Sequence, residues 1–163
     1  MTRQRPYWRQ RLILLGLLGW LVPAMAIAAV LDVTAPPSTP LVGRYLEYLV
    51  DESGALTATQ VSQLPASRWQ RTDSDNPNFG FSTKVYWLRL HLANPSPRSQ
   101  QRLVSIDYPV LDDIQLFHAD SRGMAHLGTL GDSHPAARNP LPNPWFLQAL
   151  ELPAQGTSTL YLR

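Results

Sequence analysis

The chain has 163 residues, no cysteine, 15 prolines and only 16% charged residues, below the quarter or so usual in soluble domains. Its 14 Lys and Arg exceed its 12 Asp and Glu, but four of the Arg fall in the first 29 residues, where no acid occurs; the rest carries about −2, so a nucleic-acid reading based on overall charge fails. Thiol catalysis, disulfides and cysteine-ligated zinc are excluded by composition.

Arg3, Arg5, Arg9 and Arg11 precede the apolar run LILLGLLGWLV, and PAMAIAA follows it. A basic start, an apolar core and an A-x-A site ending at Ala26 or Ala28 predict a secretory signal over residues 1–29. The alternative is an uncleaved anchor, because Leu12 to Val30 is uncharged and approaches the ~20 residues of a spanning helix. Both imply export. An exported domain without disulfides fits a bacterial periplasm.

Residues 30–40, VLDVTAPPSTP, read as an extended leader rather than a packed element. LVGRYLEYLVD (41–51) is strand-like and DESGA is a turn. LTATQVSQL is the one good helix candidate. Thr57 and Gln60 have capping-box spacing, and Leu56, Val61 and Leu64 form one apolar stripe before Pro65. A short strand around Trp69 follows. VYWLRLHLAN then alternates strictly, with Tyr86, Leu88, Leu90 and Leu92 on one face and Trp87, Arg89, His91 and Ala93 on the other. QRLVSIDY places Val104 and Ile106 opposite Leu103 and Ser105, and DDIQLFH places Ile114 and Leu116 opposite Gln115 and Phe117. ADSRG is a hairpin turn. MAHLGTL, a proline-rich loop GDSHPAARNPLPNP, then WFLQALEL and TSTLYLR around the turn PAQG complete the chain.

About eight short strands with regular turn signals predict an all-β fold, a jelly-roll β-sandwich with one short helix. The chain ends within TLYLR. That predicts the front of a longer polypeptide, with the last strand as an exposed edge able to pair with another copy.

Four stretches in order carry a family resemblance: NFGFSTKVYWLRLHLANPS (78–96), DYPVLDDIQLFH (107–118), the GD at 131–132, and ELPAQGTSTLYLR (151–163). Together they resemble the type-two extracellular sensor domain of bacterial seven-transmembrane receptors with diverse intracellular signalling modules. The resemblance spans Leu41 to Arg163. It implies a carbohydrate-binding-module-like jelly roll in the periplasm, the parent receptor sitting in the inner membrane through a downstream segment. The implied output is a diguanylate cyclase or a histidine kinase, outside this chain, so the chain itself is expected to be non-enzymatic. One departure stands out. The family's Pro-x-Pro-x-Arg-Asn-Phe run appears as NPLPNPWFLQ, with Trp145 and Phe146 but no Arg; Arg138 lies several residues earlier.

The candidate sites follow. Asn78, Phe79, Gly80 and Phe81 form a turn whose Gly80 is expected at positive φ. Phe81, Tyr86 and Leu88 are expected to fill the sandwich core. Trp87 and Arg89 share the other face and suit a sugar ring or a carboxylate. Asp107, Arg138 and Trp145 join them as candidate ligand contacts, and Tyr108, Pro109 and Asp112 belong to the structural motif. Asp107, Asp112 and Asp113 are weak calcium candidates, because no Asp-x-Asp-x-Asp-Gly loop exists; Asp107 could instead pair with Arg89. The four histidines lack zinc spacing. No nucleophile motif appears, and no cofactor is implied. The expected function is therefore sensing of a small molecule or carbohydrate, with a homodimer possible and no nucleic-acid partner. A free exported carbohydrate-binding module and an exported hydrolase are the alternatives.

Overall fold

The computed structural model describes residues 29–34, 41–108, 110–134 and 145–163. The signal or anchor segment, most of the leader, Pro109 and Arg138 lie outside them. Among the described residues there are nine strands and one α-helix. They are β1 (Val30–Asp32), β2 (Leu46–Asp51), α1 (Ala58–Ser62), β3 (Gln70–Arg71), β4 (Val85–Asn94), β5 (Gln100–Ile106), β6 (Ile114–Asp120), β7 (Gly123–Leu130), β8 (Phe146–Leu152) and β9 (Gly156–Leu162).

Seven strands form one sheet in the order β3-β2-β4-β9-β6-β7, with β1 beside β4, and β5 and β8 form a second sheet. The pairings are antiparallel except that of β1, which runs parallel to β4. The ten-residue β4 is the spine. One edge takes β9 over Leu88–Asn94. The other takes β2 over Val85–Leu90 and then β1 over His91–Ala93. The fold is an all-β sandwich, as the strand spacing predicts, but its layers are unequal.

Two expectations are corrected here. The start of the predicted leader is packed: Val30–Asp32 pairs with β4, and Val33 is buried while its amide donates to the Ala93 carbonyl at 3.0 Å. Arg102 of β5 closes this corner by donating to the Val33 carbonyl from Nε and Nη2. The last strand is not an edge. β9 lies between β4 and β6, paired with β4 from Gly156 onward and with β6 over its last residues, 159–162, so that stretch has partners on both sides within the sheet.

The two faces of the large sheet have different covers. Period-two alternation sends Leu90, Leu92, Leu116 and Leu160 to one side, where they pack with Leu150 and Leu152 of β8 and with the partly buried Val104 and Ile106 of β5. Each such leucine contributes about 1.5–3 kcal/mol by leaving water. Asn94 pins this layer at one end. Its Nδ2 donates to the carbonyls of Arg98, Leu152 and Pro153, and its Oδ1 accepts from Ser96. The opposite side holds Leu49, Trp87 and Tyr161 with Trp69, and α1 covers it through Ala58 and Val61. The predicted capping box is present: Thr57 accepts from the Gln60 amide, and the Gln60 side chain accepts from Thr57. Leu56 and Leu64 pack onto the same cluster, as the apolar stripe requires.

Candidate functional site

The helix-covered face reads as rows of cross-strand neighbours. One row runs Glu47, Arg89, Tyr161 and Phe117. The next contains Leu49 and Trp87, with Arg163 and Gln115 beyond them, the last two exchanging both backbone hydrogen bonds at 2.9 and 3.0 Å. The strand alternation makes these two rows the floor.

The first row is an internal charge network. Arg89 donates to Glu47 Oε2 at 2.6 Å, and both side chains are only 8% exposed. The Arg89 guanidinium also lies 4.2 Å from the centre of the Trp69 ring, a cation–π contact. Arg71 and His91 approach the same carboxylate at 3.7 and 3.6 Å. His91 is pushed below the usual histidine value by burial first and by the Arg89 charge next, with Glu47 opposing. The Thr159 hydroxyl lies 3.0 Å from its Nδ1. Arg89, predicted as a ligand contact, is thus committed to Glu47 and Trp69. Asp107 is exposed at the end of β5 and is not the partner of Arg89.

The second row floors a cleft of about 410 Å³ lined by Gly54, Ala55, Leu56, Thr57 and Ala58 on one wall and by Trp87, Gln115, Phe117 and Arg163 beneath and opposite. Trp87 is completely buried, its indole Nε1 has no hydrogen-bond partner, and its ring lies 5.8 Å from that of Phe117. Arg163 donates from Nη2 to the Gly54 carbonyl at 2.8 Å, joining the floor to the wall. Asp51 shapes that wall. Its carboxylate accepts from the Ser53 hydroxyl and from the amides of Ser53, Gly54 and Leu56. Burial works to raise the Asp51 carboxyl, but these hydrogen bonds together hold it below the usual carboxylate value. It therefore stays ionised and fixes the 53–56 turn against the sheet.

The aromatic turn at 78–81 sits elsewhere. Gly80 has φ +68°, and its amide donates to Asn78 Oδ1 at 2.8 Å, so the turn takes the left-handed conformation that glycine tolerates. Phe79 stacks on Tyr86 at 4.8 Å and meets Tyr48 at 5.0 Å, capping the sandwich-side face of β2 and β4. Phe81 does not plug the core; it is fully exposed. Around the other motif, Gly131 has φ +127° and its Cβ position is occupied by the Asp112 carbonyl. Asp112 thus acts through its backbone, locking the GD turn under the start of β6. Its carbonyl also accepts from the Ser133 amide, and the Leu111 carbonyl accepts from Asp132. Tyr108 and Trp145 are both partly exposed near this end of the sandwich.

The remaining candidates are dispersed. Asp113 pairs with His134 at 3.1 Å and lies 4.0 Å from Arg163. His118 is buried on the sandwich face, its Nε2 without a partner, and burial lowers its pKa. His126 is exposed on β7 against Phe117. Among the described residues no group of three or more His, Asp or Glu is gathered for a metal, and Asp107, Asp112 and Asp113 do not converge. Sequence reasoning missed Gln115, Phe117, Arg163 and the 54–58 wall. The alternation of DDIQLFH placed Phe117 opposite Leu116, but only the β9 pairing brings that face beside Trp87.

The family model described as 7TMR-DISM extracellular 2 matches residues 43–163. The chain belongs to that family. The match begins at the turn before β2 and runs through β9, so this 7TMR-DISM extracellular domain takes in every strand of the large sheet except β1. The family is one of extracellular sensor domains of 7TM-DISM receptors. No helix among the described residues is long and apolar enough to cross a membrane. A search among curated proteins found no match to the chain.

Proposed function

We propose that the chain is the periplasmic ligand-sensing domain of a bacterial membrane signalling receptor, and that the small ligand binds in the cleft on the helix-covered face. What carries the reading is the family match over residues 43–163 together with this cleft. Its volume is of the size that holds one small molecule. The cleft also joins two separate parts of the fold, the 54–58 turn that leads into α1 and the end of β9 at Arg163. A ligand touching both would favour one relative position of turn and strand, and only such a difference in affinity between two states can change an output. A diguanylate cyclase or a histidine kinase on the same receptor would carry that output.

A free carbohydrate-binding module is less well supported. The outward side of β5 and β8 presents Leu103, Ser105, Leu147 and Ala149, none of them aromatic; Trp145 is exposed just before β8, but Trp87 is covered.

The test is a thermal-shift screen of the exported chain against sugars, amino acids, organic acids and nucleosides, repeated with Ala55→Trp. Ala55 is exposed on the cleft wall, so the added indole fills the opening without entering a core. The expected result is at least one compound that raises Tm in the wild type and not in the variant. A screen with no stabilising compound, or one that ignores Ala55→Trp, overturns the proposal.

A further inference from the structure

The cleft described above also has a chemical bias, and the inference that follows rests on its being the sensing site. We infer that its ligand is a small monocarboxylate with an apolar or aromatic body, the carboxylate held by Arg163 and the body lying over Phe117 and the Leu56–Ala58 wall. Three observations carry this. First, among the described residues the only formal charge in the lining is the Arg163 guanidinium, and no acid is among them; a cationic ligand would be unpaired and an anionic one would not.

Second, the polar capacity is small and specific. Arg163 uses Nη2 on the Gly54 carbonyl, and Asp113 lies 4.0 Å from Nη1, beyond hydrogen-bond reach. That leaves guanidinium donors for one carboxylate, which arginine's fork geometry suits. Gln115 donates its amide to Asp113 at 3.3 Å, which leaves its carbonyl oxygen as an acceptor. The Thr57 hydroxyl is taken by the capping box. One partly neutralised guanidinium fits a single negative charge better than a phosphate dianion. So few free polar groups do not match the many hydroxyls of a sugar, whose burial without partners is costly.

Third, the rest of the lining that a ligand can reach is apolar, Ala55, Leu56 and Phe117, with the fully buried Trp87 beneath them. Trp87 Nε1 is buried without a partner in this same lining. A buried indole N–H normally finds an acceptor, and its resonance is a local reporter for occupancy.

The experiment titrates the exported chain with phenylacetate, with phenylacetamide as the uncharged analogue of equal shape, and with glucose. Affinity is read by calorimetry and location by the Trp87 indole N–H resonance. Phenylacetate is expected to bind and to shift that resonance, with phenylacetamide at least about tenfold weaker, the size of one charge-assisted contact. Arg163→Gln is expected to lose the same factor, and Arg163→Lys to recover part of it, each checked for an unchanged circular dichroism spectrum. Equal binding of acid and amide, an Arg163→Gln variant that binds as the wild type does, or no binding of phenylacetate overturns the carboxylate inference. If glucose or another neutral compound binds and shifts Trp87, sensing at the cleft survives while the ligand class proposed here falls. If no compound of the wider screen binds, both fall.

Discussion

The two faces of the large sheet solve burial in different ways. The sandwich face is largely leucine and isoleucine packed under β5 and β8. The helix face mixes Trp69, Trp87 and Tyr161 with a buried Glu47–Arg89 pair and is roofed by one short helix and its leading turn. An aliphatic layer gains stability from area alone. A layer with buried ions, an unpartnered indole and a cleft gains less from each residue, because every charge must first be desolvated. With the function proposed above, the contrast places stability on the first face and recognition on the second.

The sharpest way to break that contrast is to remove one partner of the buried pair. Glu47→Ala leaves Arg89 charged and enclosed, and should cost about 3–5 kcal/mol in urea unfolding. The double change Glu47→Leu with Arg89→Met should cost much less than the sum of the single changes, since no charge is then stranded. Equal additivity would mean the network is not a coupled unit. On the other face, Leu116→Ala should cost about 2–5 kcal/mol through the cavity it leaves, with ligand binding unchanged. A loss of binding at constant fold would show that the faces are not separable in function.

Smaller effects sharpen the same comparison. Thr57→Ala removes the cap of α1 and should cost about 1 kcal/mol. Because the helix roofs the cleft, its binding constant should weaken while the sandwich core keeps its hydrogen-exchange protection. The pH dependence is the mildest effect. His91 and His118 both have folded-state values below the usual histidine value of about 6.5, burial being the main cause. The unfolded chain therefore binds more protons than the folded one just below that pH. Stability is present in full above about 6.5 and falls as pH drops through the lowered folded-state values. Asp51 and Asp120, lowered from 3.8, add a second loss in the more acidic range. Urea midpoints from pH 8 to pH 4 check the sign; a rise in stability on acidification from 7 to 5 would contradict it.

Much of the fold was readable from local pattern. The alternation of VYWLRLHLAN assigned residues 86–93 of β4 to their proper faces, and Thr57 with Gln60 located the helix cap. What alternation could not supply was the cover over each face. Trp87 looked like an open platform because nothing local says that α1, almost thirty residues earlier, folds onto it. TLYLR looked like an edge because chain order does not show that β9 inserts between β4 and β6. For the site, the glycine turn at 78–81 was legible, but Phe79 and Phe81 are equivalent to a sequence reader, and only the contact with Tyr48 and Tyr86 separates them. Arg163 and Gln115 become neighbours through the β6–β9 pairing, a long-range fact with no local signature.

The central claim is that recognition belongs to the helix face. The most direct measurement is a backbone and side-chain amide NMR map of the chain before and after addition of the tightest compound from the screen. Shifts concentrated at residues 54–58, the Gln115 side-chain amide and the Trp87 indole are the predicted result. Shifts confined to Leu103, Ser105, Leu147 and Ala149 on the outer side of β5 and β8 would contradict it.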